Sequence, residues 1–276
     1  MLGLAEEEPS KARAALGAGE LPPGLLFLFP TGMRPKKIDI LTALDTIESA
    51  TVSHDPSCHD VGNAKTPAKS DYDFAGEWLE LLQWGLTFDL LGIAPGPAID
   101  VPEIAYRFGC DVDVGKGGCE AVALVPGPHL VDGSHSLPIV RAMLDLASAL
   151  ANSLKGVIAS YWSPARSAMG TALFRRSVDT WLSGGPFPAL GLTGFALAED
   201  GSMISEGLRH FIGQELSIAP DISHDPTSAT QLGARLVHEL VGSGPVEEFR
   251  RFETAEGRVV GLTPDNAAGR IVVSPM

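Results

Sequence analysis

Apolar residues in this chain recur with two periods, and each period predicts a different kind of element. Over residues 137–154, Val140, Met143, Leu144, Ala147, Leu150, Ala151 and Leu154 repeat at intervals of three and four, which predicts an amphipathic helix. In "SATQLGARLVHELV", Leu232, Leu236 and Leu240 form a second such stripe with Val237 beside it. "KKIDILTALDTIES" puts Ile38, Leu41, Leu44 and Ile47 on one side, and "FAGEWLELLQW" and "TALFRRSVDTWL" read as further helices. A short helix is expected around residues 103–108. Short apolar runs bounded by Pro or Gly predict buried strands instead: "GLLFLF", "GLTFDLLGI", "CEAVALVP", "GVIASYW", "LGLTGFALA" and "GQELSIA". "RVVGLT" and "RIVVSP" flank the turn "PDNAAG" as two more.

That order predicts an α+β fold, a mainly antiparallel sheet with helices on one face, in the manner of a split βαβ or ferredoxin-like unit. The first half admits a degenerate version of the same unit. The turn-rich "CDVDVGKGG" marks a seam. The expected organisation is a flexible arm over 1–23, an N-terminal α+β half over 24–114 and a C-terminal α+β domain over 115–276.

Charge narrows the classes of partner. Among 276 residues, 34 Asp and Glu stand against 20 Lys and Arg, a formal net charge of −14. A phosphate backbone or an anionic membrane calls for a positive surface, so neither nucleic acid nor membrane is the expected partner. Small molecules, metals and basic proteins remain. The 45% hydrophobic content suits a globular core. No apolar run approaches the roughly 20 residues a membrane-crossing helix needs. The N-terminus is acidic first and then mildly basic, the reverse of a secretory signal. Cys58, Cys110 and Cys119 make no regular framework, which points to reduced thiols in a cytoplasmic protein.

The candidate chemistry is dispersed. "SHDP" occurs twice, in "TVSHDPSCHDVG" and in "ISHDPTSATQLG". In the second copy, Asp225 and Pro226 stand directly before an apolar stripe, where Asp caps a helix and Pro opens it. In the first, Asp55 and Pro56 open a single turn, so the repeat is no duplicated site. His54, Cys58, His59 and Asp60 are all metal-capable, yet no pairing has C-x-x-C or H-x-x-x-H spacing, and a polar surface loop is expected. "CDVDVGKGGCE" offers Asp111, Asp113 and Lys116 but fits neither a phosphate loop nor a calcium loop. His129, Asp132 and His135 bring a carboxylate near two imidazoles, but the chain has no G-x-S-x-G elbow. Tyr161 and Trp162 end a strand, with Arg166 following and Arg175 and Arg176 on the next helix. Such an aromatic rim with arginines suits a partner's acidic or planar group, whereas the plain reading makes Trp162 a core cap and the arginines solvated charges.

Gly207, Leu208, Phe211, Gly213, Glu215 and Leu216 in "EGLRHFIGQELSIAP" resemble the Gly-Leu…Gly-x-Glu-Leu signature of an uncharacterised bacterial domain-of-unknown-function family. The resemblance extends to Tyr161 and Trp162 and to "FPAL" at residues 187–190, and covers roughly residues 119–273. It implies a cytoplasmic α+β protein, associated in some members with toxin-immunity or interaction roles, and brings no catalytic residues. Glu215, the one charged residue within the signature, is expected to accept backbone hydrogens where helix gives way to strand. The function expected is that of a non-enzymatic binding protein, immunity-like, whose acidic surface neutralises a basic partner, with no cofactor. The alternative is a small metal- or carboxylate-dependent hydrolase built on His54, Cys58, His59 and Asp60 or on His129, Asp132 and His135.

Overall fold

The computed structural model describes residues 21–58, 76–110, 114–115, 117–254 and 257–276. The arm expected over residues 1–23 lies, up to residue 20, outside them, as do His59, Asp60, Asp111, Asp113 and Lys116. The chain forms two units, and both are discontinuous. The first comprises the described residues up to Asp100 together with Glu120–Gly156, and the second Val101–Cys119 with Val157–Met276. The class is α+β, with strand pairing mainly antiparallel, as the apolar pattern predicts.

In the first unit, β1 (Leu25–Pro30) leads to α1 (Lys37–Leu44), then β2 (Ala50–His54), β3 (Glu77–Gln83) and β4 (Leu86–Ile93). After β5 (Tyr106–Phe108), which belongs to the second unit, β6 (Cys119–Pro126) and α2 (Leu137–Ser153) complete it. Its strands lie in the order β2-β3-β4-β6-β1. β1 is apolar on both faces because both are covered: Leu25, Leu26, Phe27, Leu28 and Phe29 are all buried. α2 presses its stripe of Val140, Met143, Leu144, Ala147 and Leu150 onto β3 and β4.

Two expectations for this unit are corrected. In α1 the buried stripe is Ile40, Ala43 and Leu44, continued by Ile47 beyond its end, and Ile38 stays 64% exposed. "EWLELLQ" is not a helix but the strand β3. Its inward residues Leu79, Leu81 and Gln83 are fully buried, and β4 supplies antiparallel partners, with Leu79 opposite Leu90 and Leu81 opposite Phe88.

The second unit adds β7 (Ala159–Trp162), β8 (Ser167–Gly170), α3 (Thr171–Leu182), β9 (Gly194–Leu197), β10 (Met203–Glu206) and the single turn α4 (Arg209–Ile212). There follow β11 (Glu215–Ile218), the single turn α5 (Pro220–Ser223), α6 (Pro226–Ser243), β12 (Arg250–Glu253), β13 (Val259–Asp265) and β14 (Arg270–Pro275). β7 pairs antiparallel with β8, and β8 parallel with β5. In place of the helix expected around residues 103–108, residues 106–108 form a strand and 103–105 carry no regular element. Arg166 explains why: its carbonyl accepts the N–H groups of Ala105 and Tyr106, at 2.8 and 3.2 Å, and draws the segment alongside β8. The remaining strands form a sheet in the order β12-β13-β14-β11-β10-β9, antiparallel throughout except for β14 with β11. α6 packs across β9, β10 and β11 through Leu232, Leu236, Val237 and Leu240. Among the described residues no helix is long and apolar enough to cross a membrane.

Candidate functional site

α3 and α6 are amphipathic, and their outer flanks meet over one stretch of chain. α3 buries Phe174, Val178 and Trp181 toward β7 and β8, which leaves Arg176, Ser177 and Thr180 on its other side. The helix stops at Gly184, whose φ of +92° lies in the left-handed region, and the N–H of Gly185 returns to the Thr180 carbonyl at 2.9 Å. The chain then doubles back through Pro186, Phe187, Pro188, Ala189 and Leu190. α6 begins at Asp225, whose carboxylate accepts from Thr227 N–H at 3.1 Å and from Ser228 Oγ–H, with Pro226 in the first helical position. Beyond its buried stripe it turns Ala234, Arg235, His238 and Glu239 toward α3. Phe252 of β12 also lines the resulting groove of about 630 Å³.

Its floor is apolar and anchored. Phe187 is 5% exposed and meets Trp181 and Phe211 edge-on at 5.3 and 5.2 Å. Its N–H donates to His238 Nδ1 at 3.1 Å, so one backbone bond ties the floor to α6. Because Nδ1 accepts, the proton of the neutral ring sits on Nε2. On the rim, Glu239 is paired with Arg250 at 2.8 Å, and Arg250 also donates to Ser243 Oγ at 3.1 Å. The Arg176 side chain has no hydrogen-bond or ion-pair partner among the described residues.

The residues singled out in the sequence fall elsewhere. Tyr161 and Trp162 make no surface rim: all four residues of β7 are buried, and these two are 2% and 1% exposed. Trp162 stacks on Phe211 at 6.2 Å and meets His210 edge-on at 5.4 Å, as a core cap does. Arg166 is half exposed, with φ +48°, and pairs with Glu206 at 2.8 Å and Glu103 at 3.3 Å. Tyr106 joins this cluster through Glu206; burial and that neighbouring carboxylate push its hydroxyl up to about 12. Glu215 receives the N–H groups of Gly207, Leu208 and Arg209 at 2.9, 3.2 and 3.1 Å, together with the hydroxyl of Ser205. It therefore ties the start of β11 back to the loop between β10 and α4, the structural part its place in the sequence suggests.

None of the described metal and hydrolase candidates lines this groove. His54 packs on Trp78 at 5.5 Å, and Asp55 accepts from Ser57 and pairs with Lys37 at the head of a 3-10 turn, Pro56–Cys58. His129 lies 3.5 Å from Thr87 Oγ1. Among the described residues no three His, Cys, Asp or Glu side chains converge as metal ligands. The sequence marks Arg176 and "FPAL" but not His238, whose acceptor role depends on a backbone N–H 51 residues upstream. Comparison with protein-family models, with curated proteins and with solved structures finds no match for this chain.

Proposed function

We propose that this is a non-enzymatic binding protein that holds an apolar small molecule in the groove between α3 and α6. The observation that carries this reading is a cavity of about 630 Å³ with an apolar floor and a few polar groups on its rim. Small-molecule sites are built this way, typically with roughly 300–1,000 Å³ of space. The floor is held by packing on Trp181 and Phe211 and by the His238 bond, so the cleft exists before any ligand arrives. A neutral apolar fluorophore, N-phenyl-1-naphthylamine, is expected to bind saturably with a rise in emission. Ala234→Trp, which fills the groove from the flank of α6 and leaves its buried stripe intact, is expected to abolish that signal. Undiminished binding by the variant would refute the assignment.

A second reading has its own support in the excess of 34 acidic over 20 basic residues, which favours encounter with a basic protein partner. On that reading the surface charge, not the groove, is the recognition element.

A further inference from the structure

Granting that the groove is the binding site, we infer that its ligand is a carboxylic acid with an apolar body, such as an aryl or medium-chain alkyl carboxylate. The argument is an inventory of what the lining leaves unspent. Of its acceptors, the Glu239 carboxylate is taken by Arg250, His238 Nδ1 by the Phe187 N–H, and the Arg176 carbonyl by Thr180 Oγ–H at 2.7 Å. What remains among its charged and imidazole groups is a pair of donors. The Arg176 guanidinium on α3 and His238 Nε2–H on α6 have no partner among the described residues.

A guanidinium carries five N–H donors and no acceptor, in a planar fork that matches the two oxygens of a carboxylate. A cationic ligand would face the Arg176 guanidinium with the lining's one carboxylate already engaged. A neutral apolar ligand would leave the donors to water. The floor of Phe187, Pro188, Ala189 and Leu190 provides apolar contact for the body, so a bare inorganic anion would use only half of the site. Net charge makes the placement informative: in a chain of −14, a groove whose one carboxylate is engaged while its Arg176 guanidinium is not is a local reversal of sign.

The test is displacement of N-phenyl-1-naphthylamine by a matched series that keeps one body and changes the head group: 2-naphthoate, 2-naphthamide and 2-(aminomethyl)naphthalene. Naphthoate is expected to bind about tenfold or more tighter than the amide, the usual margin for hydrogen bonds to a charged group, and the amine weakest of the three. In Arg176→Gln, naphthoate should lose its margin over the amide, because a carboxylate gives up more than an amide carbonyl when the guanidinium is removed. Arg176 is exposed and unpartnered, so folding is not at stake. Equal affinity for acid and amide, preference for the amine, or indifference to Arg176→Gln overturns the carboxylate inference and leaves the groove standing. Failure of both the fluorophore and all three naphthalenes to bind overturns the groove, and the inference with it.

Discussion

Glu215 shows two opposing forces acting on one carboxyl group. Burial pushes it above its ordinary value, because the charged form loses water, while the Ser205 hydroxyl and the N–H groups of Arg209, Gly207 and Leu208 pull it down. Burial prevails. The native state therefore keeps this proton to a higher pH than the unfolded chain does. The stability linked to it is complete below the normal glutamate range near about 4.3 and declines as pH rises through the elevated value. Glu215→Gln removes the titration and turns one end of the side chain into a donor that faces other donors. The variant is expected to be less stable than wild type at every pH, with a gap that is widest in acid and narrows toward neutrality. Urea denaturation of both proteins at about pH 4 and pH 7 measures the gap. A gap that widens with rising pH would mean that the four hydrogen bonds outweigh desolvation. Gly207 belongs to the same device: at φ +104°, a Cβ would come within 2.7 Å of the Ala165 side chain and 2.8 Å of the Leu192 carbonyl.

Among the elements, α6 bears most on function because one of its faces builds the core and its flank builds the groove. Its start depends on Asp225, whose carboxyl is held below its ordinary value by the Ser228 hydroxyl and the Thr227 N–H. Asp225→Ala is expected to lower Tm by about 3 °C, as the loss of one helix cap in a chain of this size does. A thermal melt followed by circular dichroism tests it; an unchanged Tm would mean that Pro226 alone sets the start. This cap was legible in the sequence, as were α2 and α6 themselves, because long stripes with clear ends leave no second interpretation. β3 was not. Trp78, Leu81 and Leu82 have helical spacing, and the alternation Leu79, Leu81, Gln83 is masked by a glutamine in an inward position. That glutamine is buried because Ser49 and the Asp145 carboxylate accept its amide hydrogens, partners 34 and 62 residues away. β8, β10 and β12, four residues each, are too short to show a period and exist through their neighbours. The groove was half legible for the same reason. Arg176 and residues 187–190 stand out locally, but only the fold sets His238 against Phe187 and sinks Tyr161 and Trp162 into the core.

At the scale of the whole molecule, the net charge of −14 and the Arg176 guanidinium act on an anionic ligand with opposite signs and different ranges. Salt separates them. At about 0.01 M ionic strength the Debye length is about 30 Å, so an approaching carboxylate feels the protein's full negative field; at about 0.1 M it is about 10 Å, and only charges near the groove count. The association rate of 2-naphthoate should therefore rise several-fold between those two conditions. Dissociation should change little, because the bound carboxylate is held by contacts far shorter than either length. Kd should accordingly fall as salt is added, the reverse of an ordinary ion pair. A basic partner gives the contrary sign: a lysine-rich peptide drawn in by the acidic surface would associate more slowly and bind more weakly as salt rises. Stopped-flow displacement across this range thus weighs the two functional readings against each other. Naphthoate binding that strengthens with salt, beside negligible peptide binding, favours the groove. Peptide binding that weakens steeply with salt, beside no response from naphthoate, would move the function of this chain from its cleft to its surface.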